Sequence, residues 1–107
     1  MNARSARVVF VTAPSRTVAE RLAKGILSNK LAACVNLVPG IRSWYWWKGK
    51  IASEWEVLLL IKTAVSRLPA LRQWIRSHHP YEIPEFLALP VSHGDAAYLK
   101  WIQASLL

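Results

Sequence analysis

Two histidines stand side by side at His78 and His79, with Glu82 and Glu85 close behind them. Imidazole is a good ligand for Cu(II) and Zn(II), and neighbouring carboxylates can complete a site. Adjacent residues on a helix, however, point about 100° apart, so both rings do not easily grip one ion. A second reading therefore stands beside the first: His79 hydrogen-bonds within the loop ahead of Pro80, and His78 is exposed. Cys34 is the only cysteine, which leaves no intrachain disulfide and no Cys-x-x-Cys metal clip. It lies in an apolar run, where a free thiol stays protonated and acts as a small hydrophobe. His93, before Gly94-Asp95, reads as part of a helix cap. No Gly-x-Ser-x-Gly, P-loop, His-Glu-x-x-His or dinucleotide fingerprint occurs, and the expectation is a protein that is not an enzyme.

The elements that must position these residues follow from apolar spacing. Val8-Val9-Phe10-Val11 is a buried-strand pattern ending at Thr12-Ala13-Pro14. Thr17 and Glu20 have the spacing of a capping box, and Val18, Leu22 and Ile26 form one helical stripe that stops near Asn29. Leu31 to Val38 reads as a second strand, closed by Pro39-Gly40. Ile41 to Trp47 and Ile51 to Thr63 are the arms of a long hairpin turned at Lys48-Gly49-Lys50. Ser66 and Pro69 open a helix with Leu68, Leu71, Trp74 and Ile75 inward, and Pro80 ends it. A fourth strand spans Glu85 to Val91, and Leu99, Ile102 and Leu106 mark a C-terminal helix. The order β-α-β-β-α-β plus a helix gives an α+β, ferredoxin-like sheet with two helices on one face, a single domain over residues 1–107. The other face of the sheet is apolar and uncovered, which a cyclic oligomer would solve.

Composition sets the remaining bounds. Hydrophobic residues make up 53% and charged residues 19% of the 107, so the chain folds rather than staying disordered. Six tryptophans are more than so small a core can bury, and the surplus belongs in a partner interface or a ligand groove. The net charge of +8 raises a nucleic-acid reading, but the basic residues are scattered. Arg72 and Arg76 share a helix face and Arg67 sits apart from them, the pattern of a solvated surface. The apolar run at Val8 is too short for a signal-peptide core and nothing reaches membrane-spanning length, so the expected compartment is the cytoplasm, with no membrane partner.

Four segments together carry a resemblance. They are Val11-Thr12-Ala13-Pro14; Leu31-Ala32-Ala33-Cys34-Val35-Asn36 with Pro39-Gly40; Ser43-Trp44-Tyr45-Trp46-Trp47-Lys48-Gly49-Lys50; and His79-Pro80-Tyr81-Glu82-Ile83-Pro84-Glu85. With Glu56 and Ile61-Lys62-Thr63 between them, the chain from about Val8 onward closely resembles the CutA family of divalent-cation tolerance proteins.

The resemblance implies a ferredoxin-like homotrimer akin to PII signalling proteins, with long hairpins that reach across to neighbouring subunits. It implies a role in tolerance of, or response to, copper and other divalent metals. The metal would be Cu(II) or another divalent ion, held weakly at His78 and His79. Some close relatives carry a cysteine just before Thr-Ala-Pro that is credited with copper binding; here that position is Val11, which removes the thiolate that would favour Cu(I). The kinship with PII proteins implies an alternative, a signalling module that binds a small effector or a protein partner. Its pocket would lie between subunits and be lined by Cys34, Tyr45, Trp46, Lys62, His79 and Glu85. Lys62 and Glu85 need polar partners on either reading.

Two rivals share the fold. An RNA-binding sheet needs exposed aromatics on its central strands, and Val8–Val11 with Leu31–Val38 offers only Phe10, so no nucleic-acid partner is expected. An acylphosphatase-like hydrolase needs glycine and arginine after the first strand, where Thr12-Ala13-Pro14-Ser15 stands instead.

Overall fold

The computed structural model describes all 107 residues. Strand β1 (Ala6–Ala13) leads into helix α1 (Arg16–Ser28), and the long strands β2 (Cys34–Trp47) and β3 (Lys50–Ala64) follow as a hairpin. Helix α2 (Leu68–His78), the short β4 (Leu87–Pro90) and helix α3 (Ala96–Ser105) complete the chain. All pairings are antiparallel in one four-stranded sheet of order β2-β3-β1-β4. This is the α+β arrangement read from the sequence, with β1 placed at the centre by its apolar run.

Strand alternation separates the two faces of the sheet. Val9, Val11 and Ala13 of β1 meet Ile61, Leu59 and Val57 of β3 on the helix side, where α1 and α2 cover them. These residues are 5% exposed or less, as are Leu22, Ile26, Leu71 and Ile75 from the helices. A fully buried side chain of this size contributes about 1.5–3 kcal/mol, so this layer holds the fold. The opposite face presents Val8, Phe10, Leu58 and Leu60, with Leu87 and Leu89 of β4 beside them. Helix α3 covers only one end of it, seating Ile102 and Leu106 on Ala64. The Arg67 guanidinium donates to the Leu106 carbonyl and so latches α3 to the start of α2, a contact that takes Arg67 out of the solvated surface expected for it.

Several boundaries differ from the sequence reading, each for a local reason. Helix α1 is capped by Ser15, whose Oγ accepts from the Val18 N–H at 3.2 Å, and Thr17 lies inside the first turn. Pro39-Gly40 does not close a strand: the register shifts between Val38 and Ile41, Gly40 takes φ +73°, and β2 continues to Trp47. A bulge absorbs the proline, which has no N–H for the ladder. Strand β4 is four residues long rather than seven. Because β1 ends opposite Val57, the hairpin beyond it is a two-stranded arm, and the molecule measures 44 × 26 × 23 Å. Five of the six tryptophans are exposed, Trp44, Trp46 and Trp55 at 64–73%.

Trp74 is the exception, and Gly25 explains it. A Cβ at Gly25 would stand 2.3 Å from the Trp74 ring, so α1 and α2 approach through a hole that only glycine leaves open. Gly25→Ala should therefore destabilise the protein by about 1–3 kcal/mol through overpacking, although alanine is about 1 kcal/mol the better helix former. Urea unfolding checks this. In a Trp74→Ala background the same change should become neutral or stabilising.

Candidate functional site

The site is built around the end of α2. His79 is its C-cap, with φ −84° and ψ 140°, the extended backbone that a following proline demands. The His79 ring turns inward and is 8% exposed. Its Nε2–H donates to the Thr12 carbonyl of β1 at 2.7 Å, and its Nδ1 accepts the Tyr81 N–H at 3.0 Å. Both ring nitrogens are committed, which fixes a neutral Nε2–H tautomer. Burial holds His79 below the ordinary histidine pKa; the Thr12 carbonyl and Glu56 pull it upward, and Arg21 adds to the downward push.

The same bond pair places Tyr81. Its ring lies 4.7 Å from the His79 ring, and its hydroxyl donates to Glu56 Oε2 on β3 at 2.7 Å. Burial first, and then Glu56, hold the Tyr81 phenol far above its ordinary range. Thr12, His79, Tyr81 and Glu56 thus form a hydrogen-bonded chain from β1 to β3 that holds the loop Pro80–Glu85 against the root of the hairpin. Between loop and hairpin runs an open groove of about 800 Å³. Tyr45 and Trp47 line it from β2, Glu54 and Glu56 from β3, and Tyr81 and Glu85 from the loop. Burial, and then the charge of Glu56, raise the Glu85 carboxyl above the usual carboxylate range.

Of the expected intersubunit set, Tyr45, Trp46 and Glu85 line this groove, and His79 supports its wall through Tyr81. Cys34 and Lys62 do not join them within one chain. They pair across β2 and β3 at the far end of the sheet, Lys62 Nζ donating to Cys34 Sγ at 3.8 Å. Eleven residues of strand separate Cys34 from Tyr45, on the order of 30 Å at a strand's rise per residue. Burial, and then Cys34, raise the Tyr98 pKa, so Tyr98 of α3 belongs to that distant cluster. Tyr81, Glu54 and Glu56 were missed as groove residues. The signal was available in the alternation Ala52-x-Glu54-x-Glu56 opposite Ser43-x-Tyr45-x-Trp47, which puts all six on one face.

The two histidines do not converge. His78 is exposed, stacks on Trp74 with ring centroids 4.2 Å apart, and donates from Nδ1 to the Trp74 carbonyl at 2.7 Å. Its Nε2 is left as the one free imidazole acceptor of the pair. No group of three or more His, Cys, Asp or Glu side chains is placed to hold a metal ion. Val11, where some relatives carry the thiol, is fully buried in the helix-side core.

Comparison with known proteins agrees with the architecture. Residues 7–105 match the family model described as CutA1 divalent ion tolerance protein. A divalent-cation tolerance protein CutA of Escherichia coli is 52% identical over 99 residues, 92% of this chain and 88% of the relative. The crystal structure of CutA1 from Oryza sativa superposes with a TM-score of 0.92 at 48% identity, covering 94% of this chain and 93% of that one. CutA from Synechococcus elongatus gives 0.94 at 38% identity, covering 100% and 95%.

Two outcomes follow from the hydrogen-bonded chain. Because the folded state holds His79 below its ordinary pKa, the unfolded chain binds the proton first as pH falls. The stability contributed by neutral His79 is complete above about pH 6.5 and declines below it, by at most about 1.4 kcal/mol per pH unit. Urea midpoints taken between pH 7.5 and 5 should show this loss, and the difference between wild type and His79→Gln isolates it from Glu85, whose raised pKa acts in the opposite direction. Tyr81→Phe should cost about 1–3 kcal/mol by leaving the buried Glu56 carboxylate without its donor, measured the same way at pH 7.5.

Proposed function

Since the chain belongs to the CutA1 divalent ion tolerance protein family, we propose that it is a non-enzymatic homotrimer that serves tolerance of divalent metals, copper among them, through weak metal binding. The family match over residues 7–105 carries this reading. Two features of the single chain support the assembly: the sheet face that α3 covers at only one end is apolar, with Leu87 60% and Leu89 40% exposed, and the outer hairpin has no third strand beside it. Large apolar patches of this kind mark interfaces between proteins.

The donors present fit a weak site and not a tight one. His78 offers one free imidazole nitrogen, whereas His79 would have to break two hydrogen bonds to ligate. No third donor completes a shell within one chain. When bound at His78 a cupric ion would be held by its Nε2, with water or a neighbouring subunit filling the remaining positions. The cytoplasm is the proposed compartment, where an unpaired Cys34 stays reduced. No helix is long and apolar enough to cross a membrane, and neither a membrane nor a nucleic acid is part of the proposal.

Native mass spectrometry of the metal-free protein, titrated with Cu(II) and Zn(II), tests both halves. The expected result is a trimer that takes up ions only at high ratios, loses them in His78→Ala and keeps its mass distribution. A monomer would overturn the assembly. Ion uptake unchanged in His78→Ala would remove that histidine as the ligand.

A further inference from the structure

The groove between the hairpin and the Pro80–Glu85 loop has a charge that contradicts the rest of the protein. The chain carries fourteen Lys and Arg against six Asp and Glu, yet Glu54, Glu56, Glu82 and Glu85, four of those six, line this one groove. No lysine, arginine or histidine of the same chain lines it with them. Chance scattering on a chain of net charge +8 does not bring most of the acids to one concave surface without a cation.

Glu56 sharpens the point. It is 8% exposed, and the only donor to its carboxylate is the Tyr81 hydroxyl on Oε2. The second oxygen has no protein partner, and the side chain lines the groove. That oxygen is open to the groove, an acceptor with no counter-ion within the chain and in position to take a donor from a bound cation. The raised pKa of Glu85, to which Glu56 contributes, reports the same crowding of negative charge.

The aromatic lining narrows the class of cation. Tyr45, Trp47 and Tyr81 stand with the carboxylates, so the groove offers ring faces and carboxylate oxygens together. Rings attract cations that keep an apolar body, and a free carboxylate oxygen accepts a strong, charge-assisted hydrogen bond from an ammonium N–H. A bare divalent ion suits the groove less, because no three acidic side chains converge on one point.

We infer that this groove binds an organic ammonium ion, with an N–H donated to the free oxygen of Glu56 and the carbon body laid against Tyr45, Trp47 and Tyr81. The ligand class is that of alkylamines and short diamines. This inference goes beyond the metal reading and does not rest on it, since His78 lies outside the groove.

The test uses 1,4-diaminobutane as the probe, titrated into the native oligomer at about 0.15 M salt, with tryptophan fluorescence and calorimetry as readouts. Trp47 beside the site should report a saturable change. Glu56→Gln, which keeps an acceptor for Tyr81, should weaken binding at least tenfold, about 1.4 kcal/mol. Glu85→Gln should weaken it as well and serves if the first variant fails to fold. Glu20→Gln removes a charge from the exposed side of α1 and should leave binding unchanged. Equal binding in Glu56→Gln and wild type, or no saturation, would overturn the proposal. So would binding that appears only after Lys48→Ala with Lys50→Ala, because the groove would then be filled by another subunit's hairpin tip. A parallel Zn(II) titration keeps the readings apart: zinc lost in His78→Ala with diamine binding intact supports separate sites. Zinc lost in Glu56→Gln with no diamine binding defeats this inference alone.

Discussion

The two hydrogen bonds of His79 hold together everything that makes this surface a site. One reaches back to the Thr12 carbonyl in the centre of the sheet, the other forward to the Tyr81 amide in the loop. A single ring thus ends α2, sets the direction of the chain through Pro80 and brings Tyr81 to Glu56. The arrangement works only with a neutral imidazole, because a proton on Nδ1 would face the Tyr81 N–H. Burial supplies that neutrality. The cost is that His79 has no lone pair left for a metal, so the residue whose type most suggested ligation acts as a structural clamp. His78, the exposed neighbour on the outside of the helix, keeps the available nitrogen.

Strand length is the second constraint. β1 has eight residues whereas β2 has fourteen and β3 fifteen, so the outer half of the hairpin has no third strand to lie beside. Its two faces then develop different chemistry by simple alternation. One face carries Arg42 with its guanidinium 5.8 Å from the Trp44 ring and 5.0 Å from the Trp55 ring, an exposed aromatic surface. The other carries Tyr45, Glu54 and Glu56 and becomes the wall of the groove. Isolated two-stranded ribbons are marginal in water. The arm is therefore the part of the molecule with most to gain from a neighbour, as is the apolar sheet face below it.

How far the sequence could be read depended on the range of the interaction concerned. Apolar spacing placed the three helices and β1, β3 and β4, and cut β2 in two, because each pattern is local: Val9, Val11 and Ala13 had to share a face whatever the rest of the chain did. Pro39-Gly40 misled because a turn signal and a bulge signal are the same two residues, and only pairing with β3 decides between them. Ser15 and Thr17 are both good caps, and the choice rests on which backbone is extended. Gly25 gave no hint that it leaves room for Trp74, a contact between helices far apart in sequence. Cys34 and Lys62 were grouped with Tyr45 because all lie in segments that resemble one family. Within one chain they pair with each other across β2 and β3, far from Tyr45; the grouping expected for them is one between subunits. The four glutamates of the groove were each visible, but two lie on β3 and two on the loop Pro80–Glu85, and only the hydrogen-bonded loop brings the pairs together.

The loop Pro80–Glu85 also separates opposite charges. Arg72 and Arg76, which share one face of α2, line a smaller cleft against Glu82, Ile83 and Pro84, while the other side of the loop faces Glu54 and Glu56. Glu82 touches both clefts. Arg72 and Arg76 sit outside the groove, so the charge of α2 is not available to neutralise Glu56 from within it. A wall of six residues, held by His79, keeps a basic helix surface and an acidic aromatic groove apart on a chain whose net charge alone would suggest one uniformly positive surface. The composition describes the average of the molecule, and the loop creates the local exception from which a binding specificity can be made.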